Sequence, residues 1–182
     1  MKIDGVRLGV AQAGIKKPDY DDLTLIELAP GTVTAGMFTQ NAFCAAPVVV
    51  AREHLQTSHH RPAYWLINTG NANAGTGEKG MQAALATCNA VADAAAVDAK
   101  SVMPFSTGVI GELLPTAKIL AALPNAFDTL SADGWQRASS AILTTDTKPK
   151  LVSRRFDIDG APVTITGMAK GAGMLCPNMA TM

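Results

Sequence analysis

Residues 68–77 (NTGNANAGTG) constrain the fold most, because three Asn, three Gly and two Thr in ten positions predict a structured turn rather than a regular element. The apolar run Tyr64–Ile67 precedes this turn and reads as a strand. An alanine-rich stretch follows it, in which Met81, Leu85 and Cys88 recur at helical spacing. The order of strand, polar turn and helix predicts an α/β chain with a mixed sheet and packed helices.

Similar patterns predict the remaining elements. Residues 23–28, 32–39 and 47–50 are apolar or β-branched runs and are predicted as strands, and residues 102–108 as a strand leading into a loop. Helices are expected at 81–100, from 115 to about 123, and at 133–142. Asp159-Gly160 favours a tight turn because both of its central residues adopt positive φ, so residues 156–165 are predicted to form a hairpin. We find no repeat, linker or domain boundary in residues 1–182.

Charge and composition exclude several classes of protein. Only 16% of the 182 residues are charged, and fifteen basic residues balance fifteen acidic ones. Nucleic-acid-binding domains usually carry an excess of Lys and Arg, so we expect no nucleic-acid partner. No apolar run approaches the length of a membrane span, and residues 1–5 lack the features of a signal peptide, so no membrane association is expected.

Cysteine and histidine usage indicates neither a disulfide framework nor a metal site. The three cysteines are widely spaced, without a Cys-x-x-Cys pair, which fits a reducing cytoplasm. Cys44 and Cys88 are interpreted as small packing residues. The pair His59-His60 follows a polar stretch and favours a solvated loop over a metal site.

Three polar, glycine-containing loops are candidates for chemistry. Residues 68–77 lack the spacing of a phosphate-binding or dinucleotide-binding loop, so a turn stabilised by asparagines is favoured. Residues 106–111 (STGVIG) could supply a hydroxyl and a backbone N–H to an oxyanion hole, although an ordinary strand-ending turn is the commoner use of such a sequence. The third loop covers residues 167–182.

This third loop contains KGAGM at 170–174 and PNMATM at 177–182. It resembles the segment that crosses the self-cleavage point of the glutamate N-acetyltransferase family, also called the ornithine acetyltransferase family. The resemblance extends in chain order over the whole sequence. The agreeing segments are AGMFTQN at 35–41, APV at 46–48, NANA at 71–74, TGE at 76–78, STGVIG at 106–111 and TTDT at 144–147.

The resemblance implies a self-cleaving fold with an N-terminal threonine nucleophile. Cleavage would fall between Ala180 and Thr181, and Thr181 would then attack the substrate with its freed α-amine as the base. Thr107 and Gly108 correspond to the oxyanion pair of the family. Lys170 corresponds to a lysine that contacts substrate, where an ammonium could hold a carboxylate.

The resemblance also implies the remaining substrate contacts and the reaction. Thr144 corresponds to another substrate contact, and Thr145 is the alternative if the correspondence shifts by one residue. Cys176 is not expected to be a nucleophile, because nothing nearby in the sequence supplies a base for it. The implied reaction moves an acetyl group from N2-acetyl-L-ornithine to L-glutamate through an acetyl-threonine intermediate in arginine biosynthesis. It uses no metal or prosthetic group, and acetyl-CoA is a further acetyl donor in some members.

Members of this family are about twice as long as this chain. Residues 1–182 are therefore interpreted as a single α-chain portion that ends just past the cleavage point, without the β half. The expected partner is a β chain from the same precursor, in an α2β2 heterotetramer, and the portion alone is expected to be inactive. The alternatives are a truncated, non-catalytic fragment or a related self-cleaving aminopeptidase.

Overall fold

A computed structural model describes residues 2–171, in which a four-stranded sheet forms the centre of the molecule. The strands lie in the order β1 (Val6–Ala11), β2 (Leu23–Leu28), β3 (Tyr64–Asn71) and β4 (Val102–Val109). Strands β1, β2 and β3 pair antiparallel, whereas β3 and β4 pair parallel. The parallel pair requires a crossover, and the helix between β3 and β4 supplies it. The mixed α/β class predicted from the sequence is confirmed.

Helices cover both faces of this sheet, which explains why β2 is almost continuously buried. Leu23 and Leu25 face one core, formed with α2 (Gly77–Ala95) and α3 (Thr116–Asp128). Ile26 and Leu28 face a second core, formed with α4 (Trp135–Ala141). Alternate residues of one strand therefore enter opposite cores, and both faces exclude water.

The region before β3 differs from the sequence expectation. Residues 47–50, predicted as a strand, belong to helix α1 (Ala46–Thr57), with Pro47 in its first turn. Proline is favourable there because the first N–H groups of a helix have no partner within the helix. The β-branched run Val48–Val50 masked the helical spacing that buries Val50 and His54. Residues 32–39, also predicted as a strand, run without joining any sheet.

Most of the later predictions are confirmed, although their boundaries move. Residues 68–71 were predicted as part of a turn but form the end of β3, where pairing with β4 continues. Helix α2 ends at Ala95, before the short 3₁₀ turn Ala99–Ser101. Helix α3 was expected to stop near residue 123 but continues past Pro124 to Asp128. Packing explains the extension, since Ala126 is fully buried and Phe127 contacts the ring of Tyr64 edge-on at 5.8 Å.

The predicted hairpin is present and longer than expected. Strands β5 (Lys150–Ile158) and β6 (Ala161–Ala169) form a separate two-stranded antiparallel sheet. Asp159 and Gly160 have φ values of 51° and 80°, as the predicted turn requires. Met168 near the end of β6 packs against the second core, so the base of the hairpin returns to the main sheet.

Candidate functional site

The parallel strands β3 and β4 approach each other very closely where they end. Gly108 pairs with Gly70, and a Cβ atom on Gly108 would lie 2.2 Å from the Gly70 carbonyl carbon. Gly108 has a φ of 141° and Gly70 one of 94°, backbone conformations that favour glycine. Because the register shifts at Asn71, the ladder is irregular beside Thr107. Two glycines thus allow the strand ends to meet and place Thr107 at the sheet edge.

Asparagine side chains stabilise the backbone beside this edge. Asn68 donates from Nδ2 to the Asn71 carbonyl at 2.9 Å, and its Oδ1 accepts from Ser106 at 2.5 Å. Asn71 accepts from the Asn73 N–H at 2.7 Å, and Asn73 donates to the Gly80 carbonyl at 2.9 Å. The interpretation of this segment as an asparagine-stabilised turn is confirmed from Asn71 onward. Its side-chain amides are bonded to the protein's own backbone.

A cavity of about 670 Å³ opens beside Thr107 and Gly108. Its lining includes the polar or charged residues Lys16, Lys17, Tyr20, Asp22, Thr69, Thr144, Thr145 and Asp146. Asp22 fixes the segment that carries the two lysines, because its carboxylate accepts the N–H groups of Ala13 and Ile15, each at 2.6 Å. The cavity therefore contains both cationic and anionic side chains.

Lys170 reaches Thr107 from the end of the hairpin. Its Nζ donates to Thr107 Oγ1 at 3.0 Å, across 63 positions of sequence. Lys170 is half-buried, and within residues 2–171 its ammonium forms no ion pair with a carboxylate. The contact joins two residues that the resemblance had assigned separately to the oxyanion pair and to substrate binding.

Asp146 anchors the chain next to Lys170. Its Oδ1 accepts the Gly171 N–H at 2.6 Å and the Lys150 ammonium at 2.7 Å, and the Asp146 side chain is only 1% exposed. Burial by itself would raise the pKa of this carboxyl. The hydrogen bonds from Lys150 and from the Gly171 and Thr144 backbone outweigh burial and lower the pKa of Asp146 to about 2. The carboxylate is therefore ionised at neutral pH.

A second cavity, of about 420 Å³, lies on the other side of Thr107. It is largely apolar, with Met37, Phe38, Trp65, Phe105, Ile142 and Met168 in its lining, and Thr107 and Lys170 also line it. Thr107 thus lines both cavities, of which the second is the more apolar. Such a position brings a hydroxyl within reach of ligands that have both polar and apolar parts.

The site residues predicted from the sequence converge only in part within the described region. Thr107, Gly108, Thr144 and Thr145 all line the larger cavity, and Lys170 contacts Thr107. Thr144 is half-buried and Thr145 exposed, and both remain in the lining. The predicted cleavage residues Ala180 and Thr181, and Cys176, lie outside residues 2–171. The roles assigned to all these residues stay predictions.

Sequence reasoning missed Lys16, Lys17, Tyr20, Asp22 and Asp146. Burial and the negative charge of Asp146 raise the pKa of Tyr20. The Tyr20 hydroxyl therefore lies close enough to the Asp146 carboxylate to be affected by its charge. Adjacent lysines in a weakly charged chain were a possible signal for the first two. The pattern is not selective, however, because the adjacent pair Arg154-Arg155 lies on the exposed hairpin.

Two histidines of the described region contact backbone carbonyls, whereas one buried side-chain polar atom has no hydrogen-bond partner in each of Thr24, Thr34, Trp65, Trp135 and Asp146, where it is Oδ2. His54 is buried and its Nδ1 lies 2.6 Å from the Val102 carbonyl, while His60 contacts the Thr34 carbonyl at 3.2 Å. Burial raises the pKa of Cys88 to about 12, as expected for a packing residue. Between residues 2 and 171, no three potential metal-ligating side chains cluster. No helix in the same range is both long and apolar enough to cross a membrane.

The fold resembles solved acetyltransferase structures. An ornithine acetyltransferase from Mycobacterium tuberculosis, solved in complex with ornithine, is similar with a TM-score of 0.86 and 37% identity, over 96% of this chain and 92% of that one. The arginine biosynthesis bifunctional protein ArgJ of Bacillus halodurans is similar with a TM-score of 0.84 and 31% identity, over 96% and 91%. The fold is therefore the mixed α/β fold of the ornithine acetyltransferase and ArgJ structures.

Sequence comparison identifies the family. Residues 7–182 match the sequence model of the ArgJ family. The chain is 59% identical to the arginine biosynthesis bifunctional protein ArgJ of Methylococcus capsulatus over 180 residues, and 53% identical to that of Pseudomonas syringae pv. tomato. Each alignment covers 99% of this chain but only 43% and 44% of the relative. The chain belongs to the ArgJ family and spans less than half the length of these relatives.

Proposed function

We propose that this chain is the α portion of an acetyltransferase that moves the acetyl group of N2-acetyl-L-ornithine to L-glutamate. The observation that carries the proposal is that Thr107 and Gly108 line a cavity of about 670 Å³ and that the Lys170 ammonium contacts Thr107. Membership of the ArgJ family supports the reaction class. The ornithine acetyltransferase of Mycobacterium tuberculosis was solved with ornithine, which supports the choice of substrate.

The chemistry requires a nucleophile and fixed donors. In the proposal Thr181 Oγ1 attacks the acetyl carbonyl, and its α-amine accepts the hydroxyl proton. The Thr107 hydroxyl and the Gly108 N–H donate to the oxygen that becomes negatively charged. Such donors stabilise the transition state strongly because they are already oriented before the reaction begins. Collapse of the tetrahedral intermediate releases ornithine and leaves an acetyl ester on Thr181, which the glutamate amine then attacks.

The nucleophile becomes available only after the Ala180–Thr181 bond is cut. We propose that the Thr181 hydroxyl attacks the Ala180 carbonyl in an N-to-O acyl shift, and that water then hydrolyses the ester. The segment after the cut would be the β chain, and two copies of each chain would form an α2β2 heterotetramer. The chain covers only 43% of its Methylococcus capsulatus relative, and a second chain could account for the remainder of that length. The reaction proposed here uses no metal, and acetyl-CoA is a second acetyl donor.

The test uses the complete protein, at the length of its relatives. Incubation with N2-acetylornithine and glutamate should yield N-acetylglutamate and ornithine in equal amounts. Mass spectrometry after brief exposure to N2-acetylornithine alone should locate one acetyl group on Thr181. Hydrolysis of peptide substrates without acetyl transfer would contradict the proposal and favour an aminopeptidase.

A further inference from the structure

Lys170 stands at the end of the β5–β6 hairpin, and its ammonium contacts Thr107 at the edge of the main sheet. The hairpin that carries it is a two-stranded sheet separate from the main sheet. Met168 packs against the second core on one side of Lys170. On the other side, the Gly171 N–H donates to Asp146 Oδ1 at 2.6 Å. The backbone on both sides of Lys170 is therefore anchored, and Asp146 supplies the polar anchor.

The contact between Lys170 and Thr107 also has a direction. An ammonium group can only donate hydrogen bonds, so Thr107 Oγ1 must be the acceptor at 3.0 Å. A threonine hydroxyl that accepts from one side keeps its own hydrogen free to donate elsewhere. That hydrogen can then point toward a ligand in the adjacent cavity, which is the orientation that an oxyanion donor needs.

We propose that Asp146 is a positioning residue, which holds Lys170 against Thr107 by accepting the Gly171 N–H and thereby directs the Thr107 hydroxyl toward the acyl oxygen of the substrate. The inference rests on the proposed function and assigns Asp146 a role in its reaction. Asp146 follows Thr144 and Thr145 in the cavity lining, so the same carboxylate also connects the hairpin to the substrate-facing segment. A buried side chain with two donors on one oxygen is suited to such a fixed role.

The first measurement is amide hydrogen exchange at Gly171 in the complete protein. Asp146→Ala removes the acceptor, so the Gly171 amide should exchange at least tenfold faster. Lys150→Met is the matched control, because it removes the other donor to Asp146 Oδ1 and leaves the Gly171 contact in place. Unchanged exchange in Asp146→Ala would overturn the proposal, whether or not the protein transfers acetyl groups.

The second measurement is steady-state acetyl transfer by the same variants. Asp146→Ala should lower kcat at least tenfold with less than a threefold change in KM, since misplacement of a catalytic donor acts on the transition state. Asp146→Asn retains an oxygen acceptor and should recover most of the rate, and Lys150→Met should stay within threefold of wild type. If KM rises while kcat is unchanged, Lys170 serves only substrate binding and the proposal is overturned.

A double-mutant comparison shows whether Asp146 acts through Lys170. In a Lys170→Met background, Asp146→Ala should change kcat by less than twofold, because the group it positions is already missing. A further tenfold loss would overturn the proposed route. Wild-type protein that folds but transfers no acetyl group would instead contradict the proposed function, and the exchange measurement at Gly171 would still report on the local contact.

Discussion

The main sheet and the β5–β6 hairpin both contribute to the candidate site, but different contacts hold them in place. Thr107 and Gly108 lie in the second, less buried half of the edge strand β4, whose first residues, Val102–Pro104, are buried. The hairpin presents an apolar face to solvent, with Val152 57% and Ile165 59% exposed. Only its base, at Met168 and around Asp146, is fixed to the rest of the described molecule by core packing or a buried carboxylate.

This difference indicates how the two halves of the site are positioned. The sheet positions Thr107 through the ladder between β3 and β4 and the buried start of β4, so single surface changes should leave it in place. Within residues 2–171, the hairpin positions Lys170 through local contacts at its base, which open at a lower free energy than a core does. The site is therefore expected to be sensitive to changes at the hairpin base and tolerant of changes at the hairpin tip.

The largest effect is expected in the segment that follows the hairpin. Thr181→Ala removes the proposed nucleophile, so the complete protein should show neither chain cleavage nor acetylation. Thr181→Ser keeps a hydroxyl and should still cleave, more slowly, because losing the γ-methyl frees χ1 and loosens the attacking geometry. Gel electrophoresis should show one band for the Ala variant and two for wild type. Normal cleavage of the Ala variant, or an acetyl group on Cys176, would contradict the assignment.

On the sheet side, Thr107→Ala should lower kcat by about 10² to 10³, the usual loss for one oxyanion donor. KM should change little because the negative charge develops mainly in the transition state. Thr107→Ser is the matched control, since it retains the hydroxyl. A large rise in KM at unchanged kcat would show that Thr107 binds substrate instead.

The packing difference between the two regions can be measured directly as stability. Leu25 is fully buried, so Leu25→Ala should lower the free energy of unfolding by about 2–5 kcal/mol. Ile165→Ala on the exposed hairpin face should cost no more than about 0.5 kcal/mol in this chain. Urea unfolding of both variants tests this contrast. Equal losses of unfolding free energy would show that the two regions do not differ in packing. A clearly larger cost of Ile165→Ala in the complete protein would indicate that another segment covers this face.

The smallest expected effect is a pH dependence at the hairpin base. The pKa of Asp146 is about 2 in the folded chain, below its ordinary value of 3.8. The carboxylate therefore stabilises the folded state fully above about pH 5, and this contribution is lost as the pH falls from there toward 2. Because the partner Lys150 is 43% exposed, solvent screening reduces this contribution to about 1 kcal/mol or less. The difference in unfolding free energy between wild type and Asp146→Asn should shrink over this range. A difference that stays constant would show that the pKa of Asp146 is not lowered in the folded chain.

The sequence predicted much of this architecture because local patterns decided it. The helical spacing of Met81, Leu85 and Cys88 led to α2, and the Asp159-Gly160 turn led to the hairpin. The family could be recognised from short segments spread along the whole chain, and the comparisons confirm it. Thr107, Gly108, Thr144 and Lys170 were named for the same reason, although their roles still await experiment.

Long-range contacts decided the rest. A β-branched run at residues 48–50 favours a strand locally, yet burial of Val50 and His54 against the molecule makes it helical. Pro124 favours a helix end, yet packing of Ala126 continues the helix. The contact of Lys170 with Thr107 spans 63 positions, and Asp146 is joined to Gly171 across 25. Sequence periodicity reports only which face of an element is apolar, whereas such contacts depend on how the elements pack, and this only the tertiary structure determined.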